Sequence, residues 1–127
     1  MSRKIIIMIV SALLLALVCT AEQVAVHRIT ARAFEQTQEI LTGIRAGRLD
    51  EAIEKSHALD QAWDERAKFL EMLVDHGSTD EVRYALSRLI AALEAQDAAT
   101  AMVYASELEG SVEHVFERQE LTLENIL

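Results

Sequence analysis

Proline is absent from this chain, glycine occurs only four times and aromatic residues make up 5% of it. With no proline, and only Gly43, Gly47, Gly77 and Gly110 to loosen the backbone, long helices joined by short turns are the natural outcome. Strand-type alternation of apolar and polar residues is hard to find anywhere, so the fold class expected is all-α. Cysteine is as scarce: the single thiol, Cys19, excludes an internal disulfide and any cysteine-based metal site. Acylation of Cys19 as a lipoprotein is disfavoured by Val18, which stands where that processing prefers a small residue.

Basic residues are in short supply as well. From Glu22 onward the chain holds all 21 acidic side chains, against every basic one except Arg3 and Lys4. A body so acidic is repelled by phosphate backbones and anionic lipid surfaces, which argues against nucleic-acid binding because counterion release needs clustered Lys and Arg. A cationic or neutral protein partner, or a homo-oligomer, is easier to accommodate. Nothing points to a small-molecule ligand or cofactor.

Aliphatic residues, by contrast, are abundant and partly continuous. Ile5 to Ala21 (IIIMIVSALLLALVCTA) carries no charge and follows the basic head of Arg3 and Lys4, the layout of a signal peptide or a signal anchor. The run spans roughly 25 Å as a helix, slightly short of a hydrocarbon core of about 30 Å, and Val24 to Val26 extend its apolar face. Cys19 and Ala21 put small residues at the two places signal peptidase inspects, so cleavage before Glu22 and secretion is one alternative. Against it, no helix breaker occurs before Gly43. The expectation is therefore a retained transmembrane anchor in residues 1–21, with the membrane contacted through residues 5–21, continuing into an acidic extracytoplasmic domain in residues 22–127. Arg28 and Arg32 blunt the charge comparison across the span, but a short head with two positive charges places the N-terminus in the cytoplasm and the domain outside a bacterial cell membrane.

Helical periodicity divides the exterior part into about four helices. Val26, Ile29, Ala33, Thr37, Ile40, Leu41 and Ile44 form one stripe, ended by Gly43 and Gly47. Leu49, Ile53, Leu59, Trp63, Ala67, Leu70 and Leu73 form a second, stopping around Asp75 to Gly77. Ser78-Thr79-Asp80-Glu81 reads as a capping box at which a third helix should begin, with Val82, Leu86, Leu89, Ile90 and Leu93 as its stripe. After Gln96-Asp97 a fourth helix carries Met102, Ala105, Leu108, Val112 and Phe116. A shift of 49 residues pairs Ala33 with Val82, Ile40 with Leu89, Ala52 with Ala101 and Leu59 with Leu108. That pattern suits two successive helical hairpins in an antiparallel bundle, and the Ala46 to Ala52 segment is similar to turns of tetratricopeptide-type repeats.

Few residues suggest chemistry. Glu54 and His57 form Glu-x-x-His, and Asp60 and Asp64 continue down nearly the same face, so a metal-dependent or hydrolytic enzyme using residues 54–76 is an alternative. A di-iron bundle would need a second such motif, which is missing, and an ordinary solvated face explains the pattern. Asp75 and His76 suit a helix C-terminus, where the dipole favours an imidazolium. Trp63 falls in the apolar stripe and is expected in the core, with its indole N–H on a partner. If it were exposed beside Phe69, the two would form the best docking hot spot. The tail from Leu121 to Leu127 either packs back on the bundle or docks into another protein's groove.

Trp63, the turn Leu73-Val74-Asp75-His76, the run Leu86 to Leu93 and the ending Asn125-Ile126-Leu127 together resemble a family of small, N-terminally anchored proteins of Gram-positive bacteria known only as a domain of unknown function. The resemblance spans nearly the whole chain and implies architecture and location, but no catalytic, cofactor-binding or metal-binding residue. Trp63, Asp75, His76, Asn125, Ile126 and Leu127 are thus candidate family-motif or interaction residues. The role expected is a non-catalytic interaction or structural module.

Overall fold

The computed structural model describes residues 2–74 and 76–126, with the side chains of 119–126 left aside. Among the described residues there are four helices and no strand: α1 (Arg3–Arg45), α2 (Leu49–Leu73), α3 (His76–Glu94) and α4 (Ala98–Ile126). Each helix packs on its neighbours in sequence and α4 closes the ring against α1, which makes an antiparallel bundle of two hairpins.

α1 opens at Ser2, whose side chain accepts from the Lys4 N–H at 3.2 Å, and runs unbroken to Arg45. Its two halves have different surroundings. From Arg3 to Ala21 every residue is exposed, whereas Val26, Thr30, Ala33, Thr37, Ile40, Leu41 and Ile44 are buried. The register of the bundle follows from a few contacts. Lys55 Nζ lies 3.7 Å from Glu39 Oε2, and a Cβ built on Gly43 would stand 3.7 Å from that of Ala52, so α2 descends α1 step for step. On the other side the Gln38 side-chain amide donates to Glu109 Oε2 at 2.6 Å, and the rings of His27 and Phe116 stand 5.1 Å apart.

Large aliphatic side chains fill the centre: Ile40, Leu41, Leu59, Leu70, Leu86, Leu89, Leu93 and Leu108 are all but inaccessible. Ala52, Ala85, Ala101 and Ala105 are equally buried and let the helix backbones approach. The buried faces depart from the expected stripes at a few positions. Thr30 is buried where Ile29 was expected, and Ser56 where Ile53 was; Ala101 and Val115 replace Met102 and Phe116, which are only partly covered. Buried hydroxyls are tolerable in a helix because they donate back one turn. Thr30, Thr37 and Ser56 donate to the carbonyls of Val26, Ala33 and Ala52 at 3.0, 2.8 and 2.7 Å.

A second departure concerns the start of α3. The capping box predicts a start at Ser78, but the helix opens at His76, so Ser78 and Thr79 are buried inside its first turn. Thr79 Oγ1 donates to the His76 carbonyl at 3.0 Å, and the Thr79 carbonyl accepts the Trp63 indole N–H at 3.3 Å. Burial of this turn against the indole, rather than the local capping pattern, sets where the helix begins.

The two hairpin turns are built alike. In the first, Arg48 N–H reaches the Gly43 carbonyl at 2.9 Å and Gly47 N–H reaches Ile44 at 3.1 Å. In the second, Asp97 N–H reaches Ala92 at 3.0 Å and Gln96 N–H reaches Leu93 at 2.9 Å. Both are Schellman caps, and the residue at the left-handed position is Gly47 with φ 76° in one and Gln96 with φ 59° in the other. The equivalence of these bonds at the 49-residue shift shows that the sequence pairing reflects a shared hairpin geometry.

Candidate functional site

Among the described residues a concavity lies between α1 and α4. His27, Thr30, Ala31 and Phe34 line it from α1, and Val112, Glu113, Phe116 and Glu117 from α4, around a groove of about 550 Å³. Its shape comes from side-chain sizes. Thr30 and Val112 are small and buried at its floor, while the rings of Phe34 and Phe116 are only partly covered and form its walls. Thr30 Oγ1 lies 3.0 Å from both the Val26 and His27 carbonyls, so the floor offers a methyl rather than a free hydroxyl. His27 meets Phe116 at an interplanar angle of 55°, closing one end.

Glu113 and Glu117 are exposed and one turn apart on α4, so the groove has an apolar bed with two carboxylates on one lip. Such a surface suits the apolar face of a segment that carries positive charge beside it. Two of the three phenylalanines of the chain line it. Phe116 belongs to the apolar stripe expected for the fourth helix yet lines the groove, and Phe34 falls outside every expected stripe. The available signal was the placement of scarce large rings at the edge of, rather than inside, an apolar stripe.

The sequence-derived candidates fall elsewhere. Trp63 is 2% exposed, with its indole N–H on Thr79, so it is a core residue and not half of an exposed pair with Phe69. His76, expected at the C-terminus of the second helix, instead opens α3, because α2 already stops at Leu73; the negative end of a helix dipole is therefore not its setting, and it is exposed with its Nδ1 3.7 Å from Glu71 Oε2. Asp75 and Leu127 lie outside the described residues, as do the side chains of Asn125 and Ile126, although α4 carries the backbone on to Ile126.

The Glu54 to Asp64 face spreads onto α3 instead of converging. His57 Nε2 lies 3.2 Å from Glu94 Oε1, and Asp64 Oδ1 lies 3.4 Å from Arg83 Nε. Arg83 Nε is shielded from solvent and held by this ion pair rather than by a well-directed hydrogen bond. Burial, and then the charge of Asp64, push the Asp60 carboxyl above its ordinary value, while His57 and Arg83 pull the other way. The four histidines, all exposed, engage separate neighbours; His114 accepts from Arg118 Nε at 3.2 Å. Among the described residues no group of three or more His, Cys, Asp or Glu is arranged to hold a metal ion. α1 is long and apolar enough to cross a membrane.

A family model described as "Domain of unknown function (DUF4363)" matches residues 21–126. No curated protein and no solved structure matches the chain.

Proposed function

The chain belongs to the DUF4363 family, and from that premise we propose that it is a single-pass membrane protein whose helical bundle is a non-catalytic interaction module outside the cell. One observation carries the reading: α1 is a single helix whose first half is apolar and, among the described residues, left uncovered, and whose second half is a wall of the bundle. An exposed apolar stretch of that length is stable in lipid and a liability in water. The basic head of Arg3 and Lys4 favours a cytoplasmic N-terminus, with residues 22–127 outside.

Because no linker separates anchor from bundle, the α1–α4 groove is held at a set height. His27 to Phe34 stand roughly 9 to 20 Å beyond Ala21 along the helix axis. The occupant proposed is the apolar face of a helical segment bearing Lys or Arg, which its apolar bed and the lip of Glu113 and Glu117 complement. A second copy of this acidic chain would bring like charges together, which disfavours self-association through the same surface.

A photo-crosslinking residue at Ala31, compared with one at Tyr84 on α3, tests this in intact cells. The expected result is a discrete protein adduct from Ala31 alone, lost when Glu113 and Glu117 are both changed to Lys. Equal adducts from both positions, or none from Ala31, would overturn the groove assignment, and an adduct of twice the chain mass would replace the foreign partner with a second copy.

A further inference from the structure

The register of α2 against α1 bears on the end of the bundle nearest the anchor. Lys55 stands beside Glu39, so Met72, seventeen positions further down α2, lies about 25 Å closer to the anchor. Ala21, where the uncharged run ends, lies about 27 Å below Glu39 by the same rise per residue. Met72 therefore sits within one helical turn of the end of the apolar run. It is also among the most exposed large apolar residues of the chain, at 77%, although its neighbours Leu70 and Val74 are buried.

Lys68 lies one turn above Met72 on the same face of α2 and is likewise exposed. An apolar tip with a cation about 6 Å above it matches the order of layers at a bilayer surface, where acyl chains give way to phosphates within several ångströms. A long flexible thioether suits the irregular acyl boundary, and a lysine stem can lie along apolar surface while its ammonium reaches phosphate. Of the acidic groups at this level, Glu71 points toward His76, at 3.7 Å, with its side chain 25% exposed, and Glu22, which the register puts at the same height on α1, is half-buried.

We propose that the C-terminal end of α2 is a second membrane contact, with Met72 at the boundary of acyl chains and headgroups and Lys68 among the lipid phosphates. This rests on the anchored reading of α1. Contact at two helices fixes the tilt of the bundle on the membrane, which one helix crossing alone leaves free. The α1–α4 groove is then presented in one orientation relative to the lipid surface.

Site-directed spin labelling of the full chain in phosphatidylglycerol-containing nanodiscs tests it. Cys19, the only cysteine, is changed to Ser, and labels are attached in separate preparations at Leu14→Cys, Met72→Cys and Val103→Cys. Val103 is exposed near the start of α4, at the far end of the bundle. Accessibility to oxygen, which partitions into lipid, is compared with that to a water-soluble nickel chelate. The proposal expects position 72 to show an oxygen-to-nickel ratio several-fold above that at 103 and below that at 14. A ratio at 72 equal to that at 103, with 14 still protected from nickel, overturns this contact and leaves the anchor standing. Nickel access at 14 overturns both.

Discussion

The paired hairpin turns make opposite predictions for two substitutions in one chain. Gly47 and Gln96 occupy the same left-handed position of the same cap, with φ 76° and 59°. A left-handed backbone costs a residue with a Cβ roughly 1–2 kcal/mol, while replacing glycine returns about 0.4–1 kcal/mol by stiffening the unfolded chain. A Cβ at Gly47 would meet nothing within 4 Å, so backbone strain alone decides the outcome and Gly47→Ala should destabilise by about 1 kcal/mol. Gln96→Gly reverses both terms, a net relief of about 1 kcal/mol, but loses a 3.3 Å side-chain bond from the exposed Gln96 Nε2 to the Leu93 carbonyl, about 0.5 kcal/mol, leaving a gain of about 0.5 kcal/mol. The assay is denaturant unfolding of the full chain in detergent, followed by the fluorescence of Trp63, the only tryptophan and a buried one. Stability should fall in the first variant and rise in the second; changes of the same sign would refute the equivalence of the two caps.

Three further outcomes are expected. Trp63→Phe should cost about 1–3 kcal/mol, read from the thermal midpoint by circular dichroism, because it opens a gap in the core and removes the hydrogen bond to Thr79; an unchanged midpoint would contradict the burial. At the start of α4, Asp97 Oδ1 accepts from the Thr100 N–H at 3.1 Å, whereas its counterpart Arg48 gives α2 no side-chain cap. Arg48→Asp should thus stabilise by about 0.5–1 kcal/mol, partly offset by repulsion from Asp50 and Glu51, and a loss of stability would show that the exposed Arg48–Glu51 pair matters more. Asp60 has its carboxyl raised by burial and by Asp64, so the folded state favours the neutral acid; its contribution is fully present below the ordinary value of 3.8 and is lost as pH rises through the raised one. Asp60→Asn should be more stable than the parent at pH 7, with the difference vanishing on acidification below pH 4, and a difference constant across that range would refute the assignment to Asp60.

The all-helical class, the unbroken passage from apolar run to bundle and the two hairpins were legible because they follow from composition and from three- and four-residue spacing. Trp63 in the core was legible for the same reason. The finer choices were not. Thr30 and Ser56 are buried because each can satisfy its hydroxyl within its own helix, a solution that an apolar stripe does not display. The early start of α3 depends on a contact between Trp63 and Thr79 across the bundle, which the local pattern at Ser78 to Glu81 could not convey. The α1–α4 groove arises from unequal side-chain sizes on two helices distant in sequence, and Met72 gains meaning only once the register sets its height beside the end of the apolar run.

The central claim, a bundle carried outside the cell on a retained membrane helix, is tested most directly by fractionating cells that express the chain with a C-terminal tag. External protease is applied after the outer layers are removed, and the intact mass of the untreated chain is recorded. Full-length protein in the membrane fraction with a protease-sensitive tag is the expected result. A soluble product beginning at Glu22, or a membrane-bound chain whose tag survives protease until the membrane is broken, would contradict it.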